Sequence, residues 1–182
     1  IQLPPLYQLP PCPPAEKQPG LVAMVGRLEK RKHYDLALLA LRHALRSNPD
    51  LHMVIVGDGP ERPTITRLID KLGLKNRVTL AGHLPEHKKL ETLARSEIFL
   101  HTGYPEGYVI AAVEAHHCRN KIVTHAETPA LKHLKCNTYP YTRYKIQEIA
   151  TALETAHKNP LGECKIPQKT ETIYKKIYQI LY

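Results

Sequence analysis

From Leu21 onwards, short apolar runs alternate with amphipathic stretches. The runs LVAMV (21–25), LHMVIV (51–56), RVTLA (77–81), EIFLH (97–101) and KIVT (121–124) each read as a strand. The first is followed by a stretch over 33–47 in which Leu36, Leu39, Ala40 and Ala44 recur at helical spacing. Further helices are expected over 62–72, 86–95, 107–118, 145–157 and 170–181. Strands this apolar, each leading into a helix, belong to a mostly parallel sheet buried on both faces.

The pattern therefore predicts an α/β fold, a Rossmann-like sheet with helices on both faces. A chain of 182 residues is long enough for one such domain with a sizeable core. Seven of the sixteen prolines fall in the first nineteen residues, where they remove backbone donors and hold the chain extended. Residues 1–20 accordingly read as a Pro-rich linker and 21–182 as the domain. Cys12, Cys118, Cys136 and Cys164 are scattered without a Cys-x-x-Cys pair, so reduced thiols and a cytoplasmic setting are expected. No apolar run is long enough to span a membrane. The formal charge of +9 points to an anionic partner without naming it.

In open α/β sheets ligands bind beyond the carboxyl ends of the strands, so the loops there are where chemistry is sought. After the first strand, Gly26 is followed by Arg27, Lys30, Arg31 and Lys32, four cations placed just before a helix N-terminus that disfavours them. An anion would relieve that conflict, and so would solvation with Glu29 as a partner. After the second strand, Gly57 and Gly59 either let backbone approach a ligand or make a tight turn. After the fourth strand, HTGYPEGYVIAAVEA sets Glu106 at the expected helix start and Glu114 eight residues later, about 12 Å along the axis at helical rise. That span matches the two sugars of a nucleotide sugar. The amides of Gly107 and Tyr108 between them suit a diphosphate. The alternative for the pair is an ordinary N-terminal glutamate and a residue on a polar helix face. No Asp-x-Asp pair follows any strand, so no metal site is expected and phosphate charge falls to Arg, Lys and amides.

Taken in order, VGRLEKRK, MVIVGDGPE, LGLKNRVTLAGHLP and the Glu-x7-Glu segment EGYVIAAVEA resemble the C-terminal donor-binding domain of the family 4 retaining glycosyltransferases, one half of a GT-B fold. The resemblance spans about residues 21–125. It implies that Arg27 and Lys32 hold the donor diphosphate, that Glu106 contacts the hexose and that Glu114 contacts the ribose. It implies no cofactor, a UDP- or GDP-linked sugar as substrate, and an acceptor carried by a missing N-terminal domain or a separate partner protein. Ile1 at the start fits an excised half, which alone is expected to transfer only weakly. Some of the positive charge could serve a peripheral contact with a membrane surface.

Two other readings are weighed. His33 and Val109 stand where glycines are common in that family, and the segment after KIVT is short, as in a non-catalytic nucleotide- or protein-binding module. A basic nucleic-acid or anionic-membrane surface would use the charge directly. With one Phe and no Trp there is no stacking platform, and no specific nucleic acid is expected.

Overall fold

The computed structural model describes residues 10–106, 109–132, 134 and 136–162. Six strands, β1 (Gln18–Val25), β2 (His52–Val56), β3 (Val78–Gly82), β4 (Ser96–Leu100), β5 (Lys121–His125) and β6 (Thr138–Tyr141), form one sheet in the order β3-β2-β1-β4-β5-β6. Every pairing is parallel. Helices α1 (Tyr34–Ala44), α2 (Arg62–Lys71), α3 (Glu86–Arg95), α4 (Ile110–His117) and α5 (Ile146–Lys158) alternate with the strands. This is the Rossmann-like arrangement expected.

Alternation along the strands divides the core. Val22, Met24, Ile98, Leu100 and Val123 face the side covered by α1, α2 and α5, packed with Leu38, Leu41, Ile149 and Leu153. Ala23, Phe99 and Ile122 face the other side, against Leu93 of α3 and Ala112 and Val113 of α4. Both faces of the central strands are therefore dry, which is why their sequences read as unbroken apolar runs.

Four expectations change. The buried stripe of α1 is Tyr34, Ala37, Leu38, Ala40, Leu41 and Ala44, whereas Leu36 and Leu39 are only partly buried despite their helical spacing. Strand β6 has no counterpart among the expected elements: TYPY carries Pro140, which lacks a ladder donor and is tolerated because β6 is an edge. Helix α4 begins at Ile110 rather than 107, so Glu106 lies in the preceding loop and the two glutamates do not share one helix. The helix expected over 170–181 lies outside the described residues.

The fourth correction concerns the thiols. Cys12 and Cys118 form a disulfide, because the Pro-rich segment runs past the end of α4 and brings their Cα atoms to 5.3 Å, within the range a disulfide spans. Lys17 clasps the same corner: its Nζ donates to the carbonyls of Ser96 (2.7 Å), Cys118 (2.7 Å) and Leu93 (3.3 Å). Burial, then the charge of Arg119, bring its pKa down to about 8. The unfolded chain therefore binds more protons than the folded one between about pH 8 and the ordinary lysine range, and stability rises with pH there. Urea unfolding at pH 7.5 and 9.5 is expected to give a larger midpoint increase for the native chain than for Lys17→Met; equal shifts would refute the assignment.

Candidate functional site

Strand β1 lies between β2 and β4: the chain runs from β1 outward to β2 and β3, then crosses to β4 and runs outward the other way to β5 and β6. The loops after β1 and β4 consequently open a crevice at this switch point, the place where such sheets hold ligands. Backbone and hydroxyl bonds stitch the two loops together. Thr102 Oγ1 donates to the Lys32 carbonyl at 2.7 Å and sits 3.1 Å from that of His33, and the Tyr104 amide donates to the Arg31 carbonyl at 3.1 Å.

That stitching aims a cationic pair at one carboxylate. Glu106 Oε1 is 2.7 Å from Arg31 Nη1 and 2.9 Å from Lys32 Nζ. Lys32 and Glu106 are largely shielded, their side chains 16% and 11% exposed. Arg31 is half exposed and also pairs with Glu29, whose hydrogen bond, ahead of the charge of Glu106, raises the guanidinium pKa. Arg27, to which the resemblance gives the donor diphosphate, faces a different carboxylate from Lys32. It pairs with Glu29 at 2.9 Å on an exposed face, and Arg31 is the guanidinium that reaches Glu106. The run of four cations makes Arg31 visible in the sequence, but only the 3-10 turn at Lys30–Lys32 decides which of them turns inward. His33 closes that turn at φ 49°, a left-handed conformation that accounts for the glycine common there.

Glu114 stands on α4, 2% exposed, with Lys89 Nζ of α3 at 2.8 Å; Lys89 also holds Glu86 at 2.9 Å. Burial alone would lower the lysine pKa, but the bonds from Glu114 and Glu86 outweigh it and leave it raised. Lys89 escapes a reading of the sequence because nothing local links it to a residue 25 positions on. Gly107 and Tyr108 lie outside the described residues.

The glycines of the second loop pack loop on loop. A Cβ on Gly57 would meet the Gly26 carbonyl oxygen at 2.0 Å, and one on Gly59 would meet backbone atoms of Leu28 at 2.5 and 2.7 Å. Gly26 itself, with φ 157°, passes beneath the Tyr34 hydroxyl, which donates to its carbonyl at 3.0 Å. These three residues thus set the height of the cationic loop. A cavity of about 360 Å³ lies beside it, lined by Glu29, His33, Tyr34 and Glu61 among others, but Arg31, Lys32 and Glu106 sit outside that cavity, on the crevice. The crevice is open, and its chemistry rather than an enclosed volume marks the site.

His101, at the end of β4, carries no signal in the sequence either. It is 5% exposed, its Nδ1 lies 3.3 Å from Thr124 Oγ1, and its Nε2 has no hydrogen-bond partner among the described residues. Burial, then the charge of Lys32, bring its pKa down to about 4, so the ring is neutral at physiological pH. Among the described residues no group of three or more His, Cys, Asp or Glu could hold a metal ion, and no helix is long and apolar enough to cross a membrane.

The chain is similar to subunits of one enzyme. It is 29% identical over 159 residues to a human subunit of phosphatidylinositol N-acetylglucosaminyltransferase, a match covering 86% of this chain and 33% of that protein. It is 31% identical over 104 residues to the GPI3 subunit of the corresponding Saccharomyces cerevisiae transferase, covering 57% of this chain and 23% of that protein. Among solved structures, Anabaena HepE in complex with UDP and glucose superposes with a TM-score of 0.69 at 25% identity, over 89% of this chain and 43% of that one. The chain thus spans only a quarter to a third of the subunits it matches. The family described as Glycosyl transferases group 1 matches residues 12–176, and this chain belongs to it.

Proposed function

We propose that the chain is the donor-binding half of a retaining, GT-B glycosyltransferase. The observation that carries the reading is the Arg31–Lys32 pair closing on Glu106 at the switch point. A diphosphate would take the place of the Glu106 carboxylate on the two cations. Glu106, released, would turn to the hydroxyls of the hexose, and Glu114, steadied by Lys89, would receive the ribose. Arg27, exposed at the rim, would add long-range attraction. The UDP and glucose of the HepE complex and the names of the two transferase relatives support a UDP-linked sugar, N-acetylglucosamine first among them.

In the transfer step the acceptor oxygen bonds to the anomeric carbon on the face from which UDP leaves, the bond to the diphosphate breaks, and the acceptor proton passes to a phosphate oxygen. Configuration is thereby retained. Arg31 and Lys32 stabilise the charge that develops on the leaving diphosphate. The acceptor would be presented by a further domain or a partner protein, and the relatives' names make phosphatidylinositol the first acceptor to try. Such an acceptor also gives the +9 charge a use, at the surface of an anionic bilayer. Without the acceptor wall water is not excluded, so this chain alone should transfer weakly.

Calorimetric titration of the chain with UDP, GDP and their sugar conjugates tests the reading. Saturable binding of UDP-N-acetylglucosamine, weaker binding of GDP and loss of both in Arg31→Ala/Lys32→Ala is expected. A folded chain that binds no nucleotide would overturn it in favour of a non-catalytic module.

A further inference from the structure

The buried imidazole of His101 is not explained by packing. Its backbone is fully used at the carboxyl end of β4: the amide donates to the Val123 carbonyl at 2.9 Å and its own carbonyl accepts from the Tyr141 hydroxyl at 3.2 Å. Its side chain is half used. Nδ1 meets Thr124 Oγ1, which in turn lies 2.9 Å from Thr128 Oγ1, while Nε2 is buried with no partner among the described residues, an arrangement that costs free energy unless some state of the protein completes it.

The direction of Nε2 identifies that state. A Cβ on Gly103 would lie 2.9 Å from His101 Nε2 and 2.9 Å from Glu106 Oε1, so the ring nitrogen and the carboxylate flank the same face of Gly103. The absence of a side chain at Gly103 keeps the space between them open. Nε2 is therefore next to the one carboxylate that Arg31 and Lys32 both hold, so a group taking the place of that carboxylate would come within its reach.

We propose that His101 is a binding residue for the donor, its Nε2–H donating to an oxygen of the diphosphate that displaces Glu106 from Arg31 and Lys32. The inference rests on the donor-binding reading above. The tautomer it needs is available without moving a heavy atom: Thr128 donates to Thr124, Thr124 donates to Nδ1, and the proton stands on Nε2. A neutral ring suits the position, since a third full charge beside Arg31 and Lys32 would be repelled, and the low pKa of His101 keeps it so. The site thus reads phosphate with two cations and one neutral donor, the last fixed in direction by a threonine pair.

The test compares His101→Gln with His101→Asn, titrating each with UDP and with UMP. A Gln amide can extend a donor to where Nε2 stands, whereas Asn reaches only the Thr124 side. His101→Asn is expected to lose about tenfold in UDP affinity with little change for UMP, and His101→Gln to recover most of it. His101→Leu should match Asn if it folds, as judged by its urea midpoint. UDP affinity equal to the native value in folded His101→Asn would overturn the proposal, as would equal losses for UDP and UMP, which would mark a structural role. A native chain that binds neither nucleotide would overturn the donor reading and this inference with it, whereas native binding insensitive to residue 101 would overturn this inference alone.

Discussion

Lys32→Ala is expected to weaken UDP binding about 100-fold, and Glu106→Gln to strengthen it about fivefold. The opposite signs follow from one contact. The Glu106 carboxylate occupies both cations, at 2.7 and 2.9 Å, so a diphosphate must compete with a charge the protein supplies itself. Removing the lysine deletes a shielded, charge-assisted bond to phosphate, of the class that contributes about 3 kcal/mol at most. Neutralising the glutamate removes the competitor and leaves the cations in place. If Glu106 then turns to the hexose, the native chain should prefer UDP-sugar over UDP, and Glu106→Gln should erase that preference. Calorimetric titration of the three chains at low and high salt measures all of this. Should Glu106→Gln weaken UDP binding, the triad would be a structural ion pair, and the diphosphate would lie elsewhere.

How far the sequence reaches into this site follows from what each contact depends on. The strands are legible because a sheet buried on both faces demands apolar runs, and neither LVAMV nor the IFL centre of EIFLH has a polar residue to blur the period. Lys32 and Glu106 are legible through their loops, since strand ends are where an α/β sheet places its ligands, and Glu114 through its eight-residue spacing from Glu106. Arg31, Lys89 and His101 depend on the side-chain direction that tertiary structure imposes. A single 3-10 turn rotates Arg31 inward and leaves Arg27 on Glu29, and no periodicity distinguishes those two arginines. Lys89 meets Glu114 only because α3 and α4 pack side by side over Ala23 and Phe99. A helix drawn from 107 over-extends a real one, which has Val109 as its N-cap and starts at Ile110. The cysteines show the same limit, since their spacing says nothing of a Pro-rich segment returning to the end of α4.

Gly57→Ala is expected to destabilise the fold by about 4 kcal/mol or more, the range reached when a substitution forces backbone apart. The new Cβ would sit 2.0 Å from the Gly26 carbonyl oxygen and 2.9 Å from its carbon, and φ at 137° already excludes most L-residues. The neighbouring atoms cannot yield cheaply, because they are backbone held by ladder and loop bonds. The Gly26 amide donates to the Val56 carbonyl at 3.0 Å, the Leu28 amide to Asp58 at 2.9 Å, and the Gly57 amide to Gly82 at 2.7 Å. Gly73→Ala is the control: its φ of 68° carries the same disfavoured sign, yet nothing lies within 4 Å of the added methyl group. That variant should lose only the left-handed backbone penalty, about 1–2 kcal/mol. Urea unfolding separates the two, and a Gly57→Ala loss no larger than that of Gly73→Ala would mean the loops do not touch as described. The contact matters beyond stability. Gly57 and Gly59 let the second loop lie directly under the first, and Leu28, fully buried between them, anchors the turn that carries Arg31 and Lys32. A variant that survives the clash by lifting the first loop should therefore bind UDP less well even when folded, because the cations would stand at the wrong height over the crevice for one diphosphate to meet both.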